Sequence, residues 1–202
     1  MNGYDRRKQK KVEQIYDASF QLFAKHGFRK AGVNEIARMA NVSPATIYNY
    51  FGTKERLYAD MLMNWMDKQS ERYENVLDSG LSFPGKVKEI MLLEAGNLNV
   101  ISDGLRNFPS SEQTGLMPSI ESFGEQKIRP LFIRLLAMGK QEGYIRPELT
   151  EETAMLYFTM YTNELGRYWE ASSDTGHVHQ NIDQLLELFF YGLIGRGYKL
   201  KQ

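Results

Sequence analysis

Val42-Ser43-Pro44-Ala45-Thr46-Ile47-Tyr48-Asn49-Tyr50-Phe51-Gly52-Thr53-Lys54 decides how the chain folds and what it touches. A serine followed by proline starts a helix: the hydroxyl accepts from an orphan amide of the first turn, and proline at the first helical position loses no needed donor. At 100° per residue, Ile47 and Phe51 fall on one face, Ala45 and Asn49 near the opposite face, and Thr46, Tyr48 and Tyr50 on its flanks. The expected helix therefore has a narrow apolar face and a small, polar outer one, and Gly52 ends it. Just upstream, Ile36, Ala37 and Ala40 repeat at helical spacing, and Asn41-Val42-Ser43 makes a three-residue connection. The pair reads as a helix-turn-helix, with Ala37 small enough for a close crossing. Asn49 suits bidentate pairing with an adenine edge and Ala45 a thymine methyl, while the hydroxyls of Ser43, Thr46, Tyr48 and Tyr50 suit phosphates. Thr53-Lys54-Glu55 opens a further helix whose positive end, with Lys54 beside it, suits another phosphate. An ordinary helical hairpin whose tyrosines only pack satisfies the same local pattern.

More of the chain bears on that choice. Ile36-Ala37 through Val42-Ser43, Thr46-Ile47-Tyr48, Tyr50-Phe51 and Lys54-Glu55-Arg56-Leu57 resemble the DNA-binding domain of the TetR family of bacterial transcriptional regulators. The resemblance extends back through Ile15, Ala18, Leu22-Phe23 and Gly27, so it covers about the first third of the chain. It implies that the helix from Pro44 is a recognition helix and that Tyr48, Tyr50 and Lys54 hold phosphate-contacting positions. It also implies a homodimer formed by the last two helices, and a small molecule in the C-terminal domain that releases the protein from DNA. One departure stands out. The family usually has threonine just before its second helix, where Ala31 and Gly32 stand here; glycine caps a helix but offers no hydroxyl to a phosphate.

The 202 residues suffice for one large or two small domains, and 42% hydrophobic residues suffice for a core. Overall charge balances, 25 basic against 25 acidic residues. The distribution does not: residues 1–60 carry 11 Lys/Arg and 6 Asp/Glu, the remainder 14 and 19. Arg6, Arg7, Lys8, Lys10 and Lys11 precede the first helix, where they are expected at the phosphate backbone or the adjacent minor groove; a merely solvated terminus is the alternative. No cysteine is present, which excludes disulfides, thiolate metal sites and a cysteine nucleophile and is compatible with the expected cytoplasmic location. The basic start leads into Val12-Glu13-Gln14-Ile15, not an apolar signal segment, and no apolar run is long enough to span a bilayer, so no membrane association is expected.

The pattern predicts an all-α chain of about nine helices, with a three-helix helix-turn-helix domain at 1–57 and a helical domain at 58–202, which the family resemblance implies senses a ligand and dimerises. The first helix is expected from about Arg7 to Lys25, burying Val12, Ile15, Tyr16, Leu22 and Phe23, with Gly27 at its end. A long helix carrying Leu57, Met61 and Trp65 runs to about Leu77. After a loop, Pro84 starts a helix to roughly Ile101, and residues 102–118, rich in Ser, Gly, Pro and Asn, read as irregular. Leu116 to Glu142 is helical again, with Pro130 either kinking it or starting its second part, and Gly143 stops it. Thr150 with Glu151 and Glu152 starts the next helix, about 151–170, and the last runs about 180–197. Both are apolar nearly all round and so must be buried all round. Tyr157, Tyr161, Leu186, Phe189, Phe190 and Leu193 are the candidate dimer-interface residues, and the monomer's own core is the alternative.

Gly80-Leu81-Ser82-Phe83-Pro84-Gly85-Lys86 matches most of a phosphate-binding loop, but Val87 stands where a magnesium-binding hydroxyl belongs and a helix precedes it where a strand should. His177 and His179 near Asp174 lack further ligands, so no metal is expected, and His26 is read as a capping residue before Gly27. Three histidines, no cysteine and no nucleophile-base pair argue against an enzyme, and no cofactor is expected. Trp65, Met91, Phe132, Met160 and Trp169 read as core or as cavity lining, and Glu94, Asn97, Asn163 and Glu164 are polar groups in apolar helical surroundings. Of these, Trp65, Glu94, Asn97, Met160 and Glu164 are the candidate ligand-binding residues. The expected partners are double-stranded operator DNA, a second copy of the chain and an apolar or amphipathic effector. The alternative is an architectural DNA binder that takes no ligand.

Overall fold

The computed structural model describes residues 3–171 together with Gln184, Leu185, Leu188, Phe189 and Gly192, and among them there are helices and turns but no strand. The helices are α1 (Gly3–Lys30), α2 (Val33–Met39), α3 (Pro44–Phe51), α4 (Lys54–Asp78), α5 (Phe83–Asn107), α6 (Ser110–Phe123), α7 (Arg129–Gln141) and α8 (Glu151–Ala171), with a π-helical turn, Gly124–Ile128, joining α6 to α7. The all-α expectation holds. Leu186, Phe190, Leu193, His177 and His179 lie outside the described residues.

Packing groups the described chain into two units, Met1–Lys68 with Asp103–Glu121, and Gln69–Ser102 with Ser122–Gln202, where the sequence expectation divides it after residue 57. In the first unit α1 is longer than expected at both ends. Its basic start is itself helical, as suits a run of good helix-forming Arg, Lys and Gln. Its end is broken at Gly27, whose backbone (φ 76°, ψ 163°) is open to glycine alone, and one further turn carries Phe28 into the core. Ile15, Ala18 and Leu22 of α1, Ile36 and Ala37 of α2, Ile47 and Phe51 of α3, and Leu57, Tyr58 and Met61 of α4 are buried.

The expectation of irregular chain at 102–118 is overturned. Helix α5 continues to Asn107, breaks only at Phe108-Pro109, and resumes at Ser110 with Pro118 inside α6. The polar composition concealed two anchors: Phe108 and Leu116 are both buried, and such burial outweighs weak local propensity.

In the second unit the core comprises Tyr73, Leu77, Phe83, Ile90, Phe132, Leu135, Leu136, Ile145, Ala154 and Phe189. Proline at 130 has no amide to give α7 and its ring would collide with a carbonyl one turn back, so the chain widens into the π turn just before it, the Arg129 amide reaching Gly124 O. Gly143 (φ 77°) ends α7, and Thr150 caps α8, its Oγ1 accepting from the Thr153 amide at 3.1 Å. Gly139 is a close-approach site, since a Cβ there would lie 2.7 Å from both Ile145 Cδ1 and Phe83 Cζ.

Candidate nucleic-acid interface

Local chemistry fixes where α3 begins and ends. Gly32 caps α2 without a side-chain bond, Asn41 takes the left-handed turn conformation (φ 54°), and Val42 donates to Ala37 O at 2.9 Å. Ser43 Oγ then accepts from the Thr46 amide at 3.1 Å and lies 2.9 Å from Thr46 Oγ1, so both hydroxyls hold the helix start. Gly52 (φ 75°) closes α3, and Thr53 Oγ1 caps α4 by accepting from the Arg56 amide at 3.0 Å.

The resulting surface has the expected polarity. Ile47 and Phe51 are buried, Pro44 and Thr46 half-buried, and Ser43, Ala45, Tyr48, Asn49 and Tyr50 exposed. Ala45 and Asn49 are one turn apart on the outer ridge, flanked by the tyrosines. Phe51 is held from within by Tyr16, ring centroids 5.6 Å apart. The basic start of α1 comes to the same side: Lys8 Nζ lies 6.0 Å from the Tyr50 ring centroid.

Lys54 does not simply project into solvent. Its ammonium sits 4.5 Å from the Phe28 ring centroid and donates to Arg29 O at 3.5 Å, and burial lowers its pKa while Glu55 opposes the shift. Phe28 in turn meets Phe23, Tyr58 and Phe108, the last contributed from more than fifty residues downstream. No local pattern in the sequence announces that seat.

The expected ligand-binding residues separate. Trp65 belongs to the first unit, stacked on Phe20 and lining a cleft of about 220 Å³ between α1 and α4 with Tyr16, Met61, Asn64 and Lys68. Glu94 and Asn97 belong to the second unit and do come together, through a residue the sequence reading missed. Tyr73 of α4 donates to Glu94 Oε1 at 2.5 Å and accepts from Asn97 Nδ2 at 2.6 Å, with Asn97 only 7% exposed. Burial pushes the Glu94 carboxyl up, the Tyr73 bond pulling the other way, and burial and Glu94 together push the Tyr73 hydroxyl up. The spacing of Glu94 and Asn97 on one helix was visible; their shared partner, 21 residues from the first and 24 from the second, was not.

Met160 is 59% exposed and Glu164 is exposed, so in the single chain they stand apart from the buried Tyr73–Glu94–Asn97 cluster. The Asn163 and Trp169 side chains lie outside the described residues. Phe189, expected at a dimer interface, is buried in its own chain against Tyr157 (5.1 Å, parallel) and Tyr161 (4.7 Å), with Tyr157 Oη donating to its carbonyl at 3.2 Å. The large apolar side chains left outward here are Leu156, Met160 and Leu188, the first and last 60% and 63% exposed.

The lysine of the rejected phosphate loop has a structural role. Lys86 Nζ donates to Val76 O at 3.1 Å, Leu77 O at 2.8 Å and Ser79 O, capping the carbonyl end of α4. Among the described residues no group of His, Asp and Glu is placed to hold a metal, and no helix is long and apolar enough to cross a membrane.

Comparison with known proteins agrees with this geometry. Residues 15–61 match the family described as bacterial regulatory proteins, tetR family. The HTH-type transcriptional repressor KstR2 of Mycobacterium tuberculosis is 24% identical over 143 residues, covering 67% of this chain and 70% of the relative. A transcriptional regulator from Cytophaga hutchinsonii has the same fold (TM-score 0.75, 18% identity, 92% of this chain and 99% of that one). So does the transcriptional regulator FadR from Bacillus subtilis, solved in complex with stearoyl-CoA (TM-score 0.61, 22% identity, 89% and 98%).

Proposed function

The chain belongs, by its N-terminal domain, to the TetR family of bacterial regulatory proteins, a family of DNA-binding transcriptional regulators and not of enzymes, and from that premise we propose a homodimeric repressor released from a palindromic operator by an amphipathic small molecule. The observation that carries this reading is the outer ridge of α3: Ala45 and Asn49 stand exposed between Tyr48 and Tyr50 on a helix whose own start and end are capped. An α-helix fits the major groove, and that ridge offers an adenine-pairing amide, a thymine-facing methyl and two flanking phosphate donors. Two copies of it, related by a two-fold axis, would meet half-sites about one helical turn apart. Leu156 and Met160, one turn apart on α8 and both exposed, support dimerisation, since adjoining outward apolar side chains mark an interface.

The effector is amphipathic in this reading because the second unit combines an apolar core with the internal Tyr73–Glu94–Asn97 cluster. The stearoyl-CoA bound by the Bacillus subtilis regulator is a molecule of that class. An effector acts only through unequal affinity for the DNA-competent and incompetent states, so ten- to hundredfold release requires a coupling of about 1–3 kcal/mol, and DNA must weaken the effector equally. Footprinting on DNA flanking the protein's own gene, repeated with stearoyl-CoA, tests both halves. A palindromic footprint that fades with the thioester is expected. A footprint insensitive to acyl thioesters and other amphiphiles would favour an architectural role, and no footprint would sink the reading.

A further inference from the structure

Lys54 is held by an aromatic seat that the N-terminal domain does not complete by itself. The Phe28 ring lies under the ammonium, and Phe23 (5.7 Å), Tyr58 (5.4 Å) and Phe108 (5.0 Å) surround that ring. Phe108 also stacks on Tyr58 at 4.6 Å, nearly parallel. Phe108 and Tyr58 are buried, so the seat is a closed cluster. Phe108 comes from the one break between α5 and α6, and its segment, Asp103–Glu121, packs as part of the first unit.

The geometry points to Phe108 as a positioning residue for DNA binding, which sets the Phe28 ring and through it the place of the Lys54 ammonium. This rests on the DNA-binding reading above. A free lysine side chain loses rotamer entropy when it meets a phosphate. One already held over a ring, with its chain end tied to Arg29 O, has lost much of that beforehand and keeps further N–H donors for the phosphate. Removing the Phe108 ring frees Phe28 to tilt, and Lys54 returns to the ensemble of an ordinary surface lysine.

Two readouts test the assignment on the full-length chain. In NMR spectra without DNA, the ε-methylene of Lys54 should show an upfield ring-current shift from Phe28, lost in Phe108→Leu and retained in Phe108→Tyr. In titrations of a generic mixed-sequence duplex against salt, Lys54→Met should lower the log-log slope by about one for each phosphate left without its lysine. Phe108→Leu keeps the lysine and so should leave the slope nearly unchanged while weakening binding several-fold, should weaken it no further in the Lys54→Met background, and Phe108→Tyr should bind like the wild type. Should Phe108→Leu fail to fold, the volume-conserving Phe108→Met serves in its place with the same expectations. An unaltered Lys54 shift and duplex affinity in a folded Phe108→Leu variant, or affinity losses that add in the double variant, would overturn the proposal. Absence of salt-dependent duplex binding by the wild-type chain would sink the DNA-binding reading itself, with the Lys54 shift still reporting whether the seat exists.

Discussion

In the first unit the polar side chains of the α3 ridge, Tyr48, Asn49 and Tyr50, point away from the core, whereas in the second unit Tyr73, Glu94 and Asn97 turn inward and bond one another. The difference follows from what each must meet. A polyanionic duplex is recognised by an outward ridge on a rigid, capped helix, so the core beneath is apolar but for the buried Ser19. An internal polar cluster has the opposite energetics. Each buried group costs free energy unless its partner is in place, so the cluster is stable only as a set and sensitive to whatever changes one member. The first arrangement turns its polar groups toward solvent, and the second commits them to one another.

The largest expected effect lies in the second unit's packing. Gly139→Val would force methyl groups into Ile145 and Phe83, and overpacking of this kind costs about 3 kcal/mol. Melting followed by circular dichroism should show Tm lower by roughly 6–12 °C. An unchanged Tm would mean that α7 is not held at this approach.

Next comes the polar cluster. Tyr73→Phe removes the hydroxyl that serves both Glu94 and Asn97 and should cost about 2 kcal/mol in denaturant titration. The same site predicts a pH dependence. Because burial raises the Glu94 pKa in the folded state above its ordinary 4.5, the folded protein holds a proton that the unfolded chain releases, so stability falls as pH rises from about that value through the folded pKa. Glu94→Gln should flatten that decline. If wild type and Glu94→Gln lose stability in parallel as pH rises above that value, Glu94 does not titrate as described.

The smallest stability effect belongs to the first unit. Ser43→Ala deletes the cap of α3 and should cost about 1 kcal/mol, readable as raised amide exchange in the first turn of α3. Equal exchange in both proteins would show that the hydroxyl does not anchor the helix.

The same contrast explains what could be read without coordinates. Ser43-Pro44, Gly52, Thr150, Gly27 and Gly143 act within a few residues, so their roles as caps and stops were legible, as was the split of α3 into Ile47/Phe51 within and Asn49 without. Relations across the chain were not. Nothing local tells that Tyr73 joins Glu94 to Asn97, that Lys86 caps α4, or that Phe108 enters the Lys54 seat. The error at 102–118 has the same origin, since polar composition there outweighed two aromatic and aliphatic anchors whose partners lie far away in sequence. An apolar helix face, such as the one that carries Phe189, shows that it must be covered, not whether its own chain or a second copy covers it.

The central claim is that the outer ridge of α3 reads base pairs while Lys54 binds backbone, and affinity profiling of wild type, Asn49→Ala and Lys54→Ala across a randomised library of duplexes tests it most directly. Asn49→Ala is expected to lose discrimination at one position in each half-site, at about 1–3 kcal/mol, while Lys54→Ala weakens all sequences alike. Identical sequence preference in wild type and Asn49→Ala, or loss of preference on replacing Lys54, would contradict it.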